Sequence, residues 1–274
     1  MMRALWSAAS GMRAEQTSVD TISNNIANVN TTGYKAQRAQ FNTLLYQTLQ
    51  ASTTTANGAN KPSSAQVGLG TRVASFNAAY TQGAQLSSAN PMALFIAGDG
   101  FFSIQGTNNE KLYTRDGDFT WSTTSTKGQL ALTTSNGNFV LDRSGQKIEI
   151  PQEISAETVA VGQDGLISYQ NAKGETVSTG KYIGLFQFPN PVGLEKTAGN
   201  LLRPTPASGE AMAEESSGDN MKKSQIQQGY LEGSNVNVAD EMVDLIISQR
   251  AYELNSKAIT TGDSMLQTAN ELKR

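Results

Sequence analysis

The sequence contains no cysteine and no histidine among its 274 residues. The first absence removes disulfides, thiolate nucleophiles and cysteine-ligated metals. The second removes the commonest general base and the commonest transition-metal ligand. Charge is scarce too: Asp, Glu, Lys and Arg make up 16% of the chain, with a net charge of −3. Binding phosphate needs a basic face that releases counterions, and the longest basic clusters here are Lys222-Lys223 and Lys273-Arg274. Nucleic acid is therefore not an expected partner. No run approaches ~20 apolar residues, so no helix is expected to cross a membrane. Met1 to Gly11 lacks the apolar core of a secretory signal peptide, so export, if it occurs, is expected by another route. Apolar residues reach only 38%; Ser, Thr, Asn, Gln and Gly fill the gap, as in β-rich extracellular and fibrous proteins.

What is present is periodic at both ends. Leu5, Met12, Val19 and Ile26 recur every seven residues, Ala8, Ile22 and Val29 follow members of that series by three, and Glu15 interrupts it. This is the spacing of a coiled-coil seam. It predicts a helix within 1–33, stopped by Gly33 in a left-handed conformation. Leu245, Tyr252, Ile259 and Leu266 repeat in the same way near the other end, flanked by Ala251, Ala258, Met265 and Leu272. They predict a helix within 236–274. Asn237 suits its cap, Asp240, Glu241 and Asp244 its positive end, and Lys273-Arg274 its negative end.

Neither helix is strong by composition. The first carries Ser7, Ser10, Gly11, Thr17, Ser18, Asn24, Asn25 and Asn28, the second Ser248, Asn255, Ser256, Thr260, Thr261 and Gly262. An interior glycine costs about 1 kcal/mol relative to alanine, whereas burying one Leu, Ile, Val or Met returns about 1.5–3 kcal/mol. Packing therefore decides, and the ends are expected to order only against partners. Those partners are either each other within one monomer or other copies. Asn24, Asn25 and Asn28 are either solvated or hydrogen-bonded to a neighbouring helix or backbone.

Between the helices the sequence predicts an extended segment over 34–75, a β domain over 76–202 and a returning linker over 203–235. Residues 50–66 are polar and of low complexity. Four apolar pairs of runs flank glycine turns: Leu94–Ile96 and Phe101–Ile104 around Gly98-Asp99-Gly100, Leu112–Arg115 and Phe119–Trp121 around Asp116-Gly117, Leu130–Leu132 and Phe139–Leu141 around Asn136-Gly137, and Val159–Val161 and Leu166–Tyr169 around Asp164-Gly165. Such turns signal hairpins. The fold class is α+β: discontinuous terminal helices forming a coiled-coil-like domain, with a central antiparallel all-β domain.

Candidate chemistry is sparse. Gly98-Asp99-Gly100 and Gly68-Leu69-Gly70 lack the spacing of phosphate loops. Asp116-Gly117-Asp118 lacks the spaced ligands and closing glutamate of a calcium loop. Asp240, Glu241 and Asp244 read as compensation of a helix dipole. No catalytic, cofactor or metal-binding residue is assigned, and an enzyme is not expected.

Two long stretches carry a resemblance. Asp20-Thr21-Ile22-Ser23-Asn24-Asn25-Ile26-Ala27-Asn28-Val29-Asn30-Thr31-Thr32-Gly33-Tyr34-Lys35 resembles the N-terminal motif of the bacterial flagellar rod and hook family. Gln228 to Leu266, with Ser234-Asn235-Val236-Asn237-Val238-Ala239-Asp240-Glu241-Met242 and Gln249-Arg250-Ala251-Tyr252-Glu253, is similar to its C-terminal hallmark. Ile96-Ala97-Gly98-Asp99-Gly100-Phe101-Phe102 and Tyr113-Thr114-Arg115-Asp116-Gly117-Asp118-Phe119 resemble its core-domain motifs. The chain length, Phe41 to Thr48 and the polar insert before Val67-Gly68-Leu69-Gly70 resemble distal-rod members. The family implies a helical tube of subunits, with terminal helices in an inner layer (D0) around an export channel and the β domain (D1) facing outward. It implies a mechanical role in carrying torque from motor to hook. It also implies partners: further copies, proximal rod subunits, hook-junction and hook subunits, the surrounding peptidoglycan and outer-membrane ring proteins, and the flagellar type III export apparatus. The expected assembly residues are Leu5, Met12, Val19, Ile22, Asn24, Asn25, Ile26, Asn28 and Val29, with Met242, Leu245, Tyr252, Ile259 and Leu266. A proximal rod or hook subunit and a secreted β-rich binding module remain as alternatives.

Overall fold

A computed structural model of the chain describes residues 2–50, 64–106, 109–124, 128–151, 154, 158–170, 176–215 and 222–272. They fall into two compact units, one of Met1–Ala27, Gln37–Ala78 and Asn237–Arg274, the other of Asn28–Ala36 and Ala79–Val236.

The first unit holds both long helices, α1 (Met2–Ala27) and α2 (Val238–Glu271). Asn237 caps α2, its side-chain oxygen accepting from the Ala239 amide at 3.2 Å, while Asp240 and Glu241 occupy the first turn. Lys273-Arg274 lies outside the described residues. Helix α1 ends six residues before Gly33, which corrects the expected 1–33 span. The Thr31 amide and hydroxyl both bond back to Asn28, through its carbonyl and its side chain. Such local bonds by Asn and Thr compete with helix continuation. Gly33 does have a positive φ of 67°, but its task is close approach in the second unit. A Cβ there would lie 2.7 Å from the Asp116 backbone nitrogen.

The segment expected as a linker over 34–75 instead pairs with itself. Strand Gln37–Thr43 runs antiparallel to Thr71–Ala78, and Tyr46–Gln50 to Ala65–Gly68. The Leu44 amide, donating to the Gly70 carbonyl at 2.9 Å, bridges the two pairs into one ribbon. Thr71, Val73 and Phe76 supply the β-branched and aromatic positions that a pleated surface favours. Of the polar insert, 51–63 lies outside the described residues.

The second unit is antiparallel throughout its described pairings. Its main sheet runs in the order Glu149–Pro151, Gln129–Thr134, Phe139–Val140, Phe101–Gln105, Lys111–Thr114, Leu201–Arg203 and Glu195–Thr197. A three-stranded sheet combines Val159–Val161, Leu166–Gln170 and Thr176–Tyr182. The expected returning linker over 203–235 also contributes strands: Met212–Ala213 pairs with Leu185–Gln187, Gln225–Gln228 with Leu94–Ala97, and Tyr230–Glu232 with Gln85–Ser87. Ile226 alternates with polar neighbours and buries to 1% exposure in the core. The unit is therefore wider than 76–202.

Two of the four expected hairpins form, around Asn136-Gly137 and Asp164-Gly165. The other two turns join strands that take different partners: Lys111–Thr114 pairs with Phe101–Gln105, whereas Phe119–Thr123 pairs with Gln129–Thr134. Gly117 is needed for contact rather than for reversal. A Cβ there would stand 1.8 Å from the Leu94 carbonyl oxygen, and the Leu94 amide donates to Gly117. The main core gathers Met92, Leu94, Ile104, Phe119, Leu132 and Ile148 around Phe102. A second, aromatic cluster stacks Phe101, Tyr113 and Phe188 edge to face.

Candidate assembly surface

The helix pair is held along a line of small and polar residues. Hypothetical Cβ atoms at Gly11 and Gly262 would come within 2.9 Å of Asn255 and Leu5 respectively. The Ser18 and Ser248 hydroxyls bond to each other at 3.1 Å. Asn25, 1% exposed, donates to the Glu241 carboxylate at 3.1 Å. These contacts step by seven residues on α1 while descending α2, which makes the pair antiparallel in constant register. Small residues let helix axes approach closely, at the cost of the apolar knobs that usually lock such a seam.

Asn25 has a second task. Its side-chain amide donates to the Gln37 carbonyl at 2.8 Å, and its oxygen accepts from the Gln37 amide at 2.9 Å. One side chain thus stands in for a neighbouring strand and fastens the start of the ribbon to α1. Of the two readings left open for these asparagines, solvated or hydrogen-bonded to a neighbouring helix or backbone, Asn25 takes the second. Asn24 is exposed.

The expected heptad residues flank this line. Leu5, Met12, Val19 and Ile26 are half-buried, as are Leu245, Ile259 and Leu266; Ile22 is buried and Tyr252 exposed. Asn28 and Val29 lie beyond α1 and in the other unit, where Val29 packs on Tyr34, Ala36 and Val236. Reading them as part of the helical seam is corrected by the early end of α1.

A second apolar row runs along α2. Met242, Val243, Ile246, Ile247 and Leu254 are each more than half exposed, Leu254 at 66%. Met242–Ile246 and Val243–Ile247 are i,i+4 pairs, so they form one continuous face. The sequence reading reached only Met242. The same seven-residue spacing through Gly11, Ser18 and Asn25, and through Glu241, Ser248, Asn255 and Gly262, would have revealed the actual seam. A coiled-coil seam is defined by apolar residues, and this one is made of small and polar ones.

Among the described residues no group of three His, Cys, Asp or Glu is arranged to hold a metal ion, and no helix is long and apolar enough to cross a membrane. The exposed apolar row on α2 is suited to burying surface.

The family described as flagella basal body rod protein matches residues 5–35, the flagellar hook protein FlgE/F/G D1 domain matches 95–169, and the flagellar basal body rod FlgEFG protein C-terminal family matches 227–272. The flagellar basal-body rod protein FlgG of Borreliella burgdorferi is 41% identical over the full length of both chains, and that of Bacillus subtilis 38% over the full length of both. The flagellar hook-basal body complex protein FlhP of Bacillus subtilis is 31% identical, again end to end. With both terminal helices, the β domain and the whole chain matched, the protein belongs to the flagellar basal-body rod protein family.

Proposed function

We propose that the chain is a structural subunit of the flagellar distal rod. It self-assembles into a helical tube that carries motor torque to the hook and encloses the export channel. The observation that carries this reading is the apolar row Met242, Val243, Ile246, Ile247 and Leu254, left in solvent on a helix already paired through its opposite side. Burying about half of each side chain against other copies contributes roughly 1 kcal/mol per residue. Repeated over every contact in a polymer, that term turns a marginal helix pair into a stiff wall.

Under this reading the partners are further copies, proximal rod subunits on one side, hook-junction and hook subunits on the other, and ring proteins around the shaft. The site of action is the rod that spans the periplasm, reached through the flagellar type III export apparatus. The role is mechanical and involves no catalytic step. The family descriptions that span FlgE, FlgF and FlgG support a second reading, a proximal rod or hook subunit.

The test is the double variant Ile246→Asp/Ile247→Asp. Both side chains are exposed in the single chain, so its circular dichroism and unfolding midpoint are expected to stay unchanged. Polymerisation and motility are expected to be lost, because assembly would bury two unpaired charges. Polymers of normal yield from the double variant would remove this face from the interface. Electron microscopy of the wild-type polymer separates rod from hook: a straight tube fits a rod subunit, a curved one the hook.

A further inference from the structure

The second unit contains a small cavity of about 60 Å³ lined by Lys35, Arg115 and Lys196 together with Tyr80, Leu201 and Leu202. Three cations line it, and one carboxylate pairs with two of them. Glu232 accepts from Lys35 Nζ at 2.6 Å and from Arg115 Nη1 at 3.2 Å, with all three side chains at most 3% exposed. The Lys35 ammonium also donates to the Thr81 carbonyl at 2.8 Å. Lys196 has no carboxylate partner among the described residues. Its ammonium donates to the Lys35 carbonyl at 3.0 Å and stands 5.1 Å from the centre of the Tyr34 ring. Arg115 lies over Phe101, and its Nε is buried without any hydrogen-bond partner among the described residues.

The remaining acids nearby do not close this balance. Asp116 already accepts from the Thr32 hydroxyl and the Asp118 amide. Asp99 is exposed and lines a different cavity, beyond Tyr80 and Arg115. A half-buried ammonium without a carboxylate beside it and a buried, idle guanidinium N–H are both costly. Both costs are removed together by one anion of the right size.

We propose that this cavity is a binding site for a single carboxylate, or an oxyanion of similar size, held between the Lys196 ammonium and the Arg115 guanidinium. Its volume admits an acetate-sized group. The apolar walls from Tyr80, Leu201 and Leu202 lower the local dielectric and strengthen each charge-assisted bond. The same chemistry has two sources, a free small anion or an Asp or Glu side chain from a second copy. Burial pulls the Lys196 ammonium down to about 8, as expected of a cation that lacks its counter-charge; the bound anion would restore it.

The experiment uses the full-length chain labelled with ¹³C at lysine Cε. Sodium acetate is titrated against sodium chloride at constant ionic strength. Acetate is expected to shift the Lys196 signal saturably and to move its titration midpoint upward. Lys196→Gln is expected to weaken acetate binding roughly tenfold or more, the loss of one charge-assisted bond, with the core spectrum unchanged. The second arm treats the assembled polymer with a carbodiimide, which joins an ammonium to a carboxylate in direct contact. A Lys196 cross-link to a second copy assigns the site to an intersubunit carboxylate; acetate binding without that cross-link assigns it to a free anion. Absence of both acetate binding and cross-link overturns the proposal. The acetate arm needs no polymer, so its failure is distinct from failure of the rod reading.

Discussion

At the scale of single residues, Lys196 gives the fold a pH dependence of unusual sign. Its ordinary value is 10.5 and burial lowers it to about 8 in the folded chain. Below pH 8 both states hold the proton, so the cost of burying the ammonium is fully present. Between pH 8 and 10.5 the unfolded state keeps a proton that the folded state has released, so stability rises with pH. Tyr80 acts the other way above pH 10, because burial pushes its hydroxyl up to about 12. In chloride buffer, Lys196→Met is therefore expected to be more stable than wild type at pH 7, by about 1 kcal/mol after allowing for solvent screening. The difference should shrink towards pH 10. Urea unfolding of both proteins at pH 7 and 9.5 checks this; a variant less stable at pH 7 would mean that the Lys35 carbonyl and Tyr34 contacts outweigh the buried charge. None of this was legible in the sequence. Lys196 sits in a run with no motif, and only the folded sheet brings it beside Lys35 and Arg115.

At the scale of elements, the helices were legible and their interface was not. Seven-residue spacing located α1 and α2 because any packed helix repeats at nearly that interval. The same spacing cannot say which of several parallel rows faces the partner. Apolar residues were the natural choice, yet the contact line is Gly11, Ser18 and Asn25 against Asn255, Ser248 and Glu241. The helix end at Ala27 was missed for a related reason, since Asn28 and Thr31 stop the helix through bonds to each other. Two glycine turns were read as hairpins because sequence shows that a chain turns, not which strand it then joins. The seam yields a sharp expectation for Gly11. Gly11→Ala gains about 1 kcal/mol of helix propensity, and its Cβ meets only the end of the Asn255 side chain, which can rotate away. Gly11→Leu has no such space and must part the helices. The alanine variant should keep helical content, polymerisation and motility, and the leucine variant should lose polymerisation. Circular dichroism and swimming assays would register both, and a motile leucine variant would refute close helix contact at this point.

At the scale of the molecule, the two units are built to different standards. The β unit buries Phe102, Ile104, Phe119 and Leu132 completely, whereas the helix unit buries only Ala8, Ala14 and Ile22 among the apolar residues of its helices. Local stability follows local burial. In the dilute single chain, amides of α1 and α2 are expected to exchange with deuterium well before those of the Phe101–Gln105 and Gln129–Thr134 strands. On polymerisation the helices should become protected. Helices that exchange as slowly as the core in dilute protein would show that they need no partners.

The staple at Lys35 and Glu232 bears on how the chain finds this state. Asn25 and Glu241 are 216 residues apart in sequence, and joining them directly would close a very long loop. In the β unit, however, the Gly33 amide donates to the Glu232 carbonyl at 2.8 Å, Lys35 pairs with Glu232, and the Ala36 amide donates to the Asn235 side chain. Once these bonds exist, only short stubs of chain separate the staple from each helix. Because closure entropy grows with the logarithm of loop length, the prior staple spares the helix pair about 2 kcal/mol. Two chain ends that are remote in sequence are thereby brought within a short loop of each other, which shortens the search by which the helices pair.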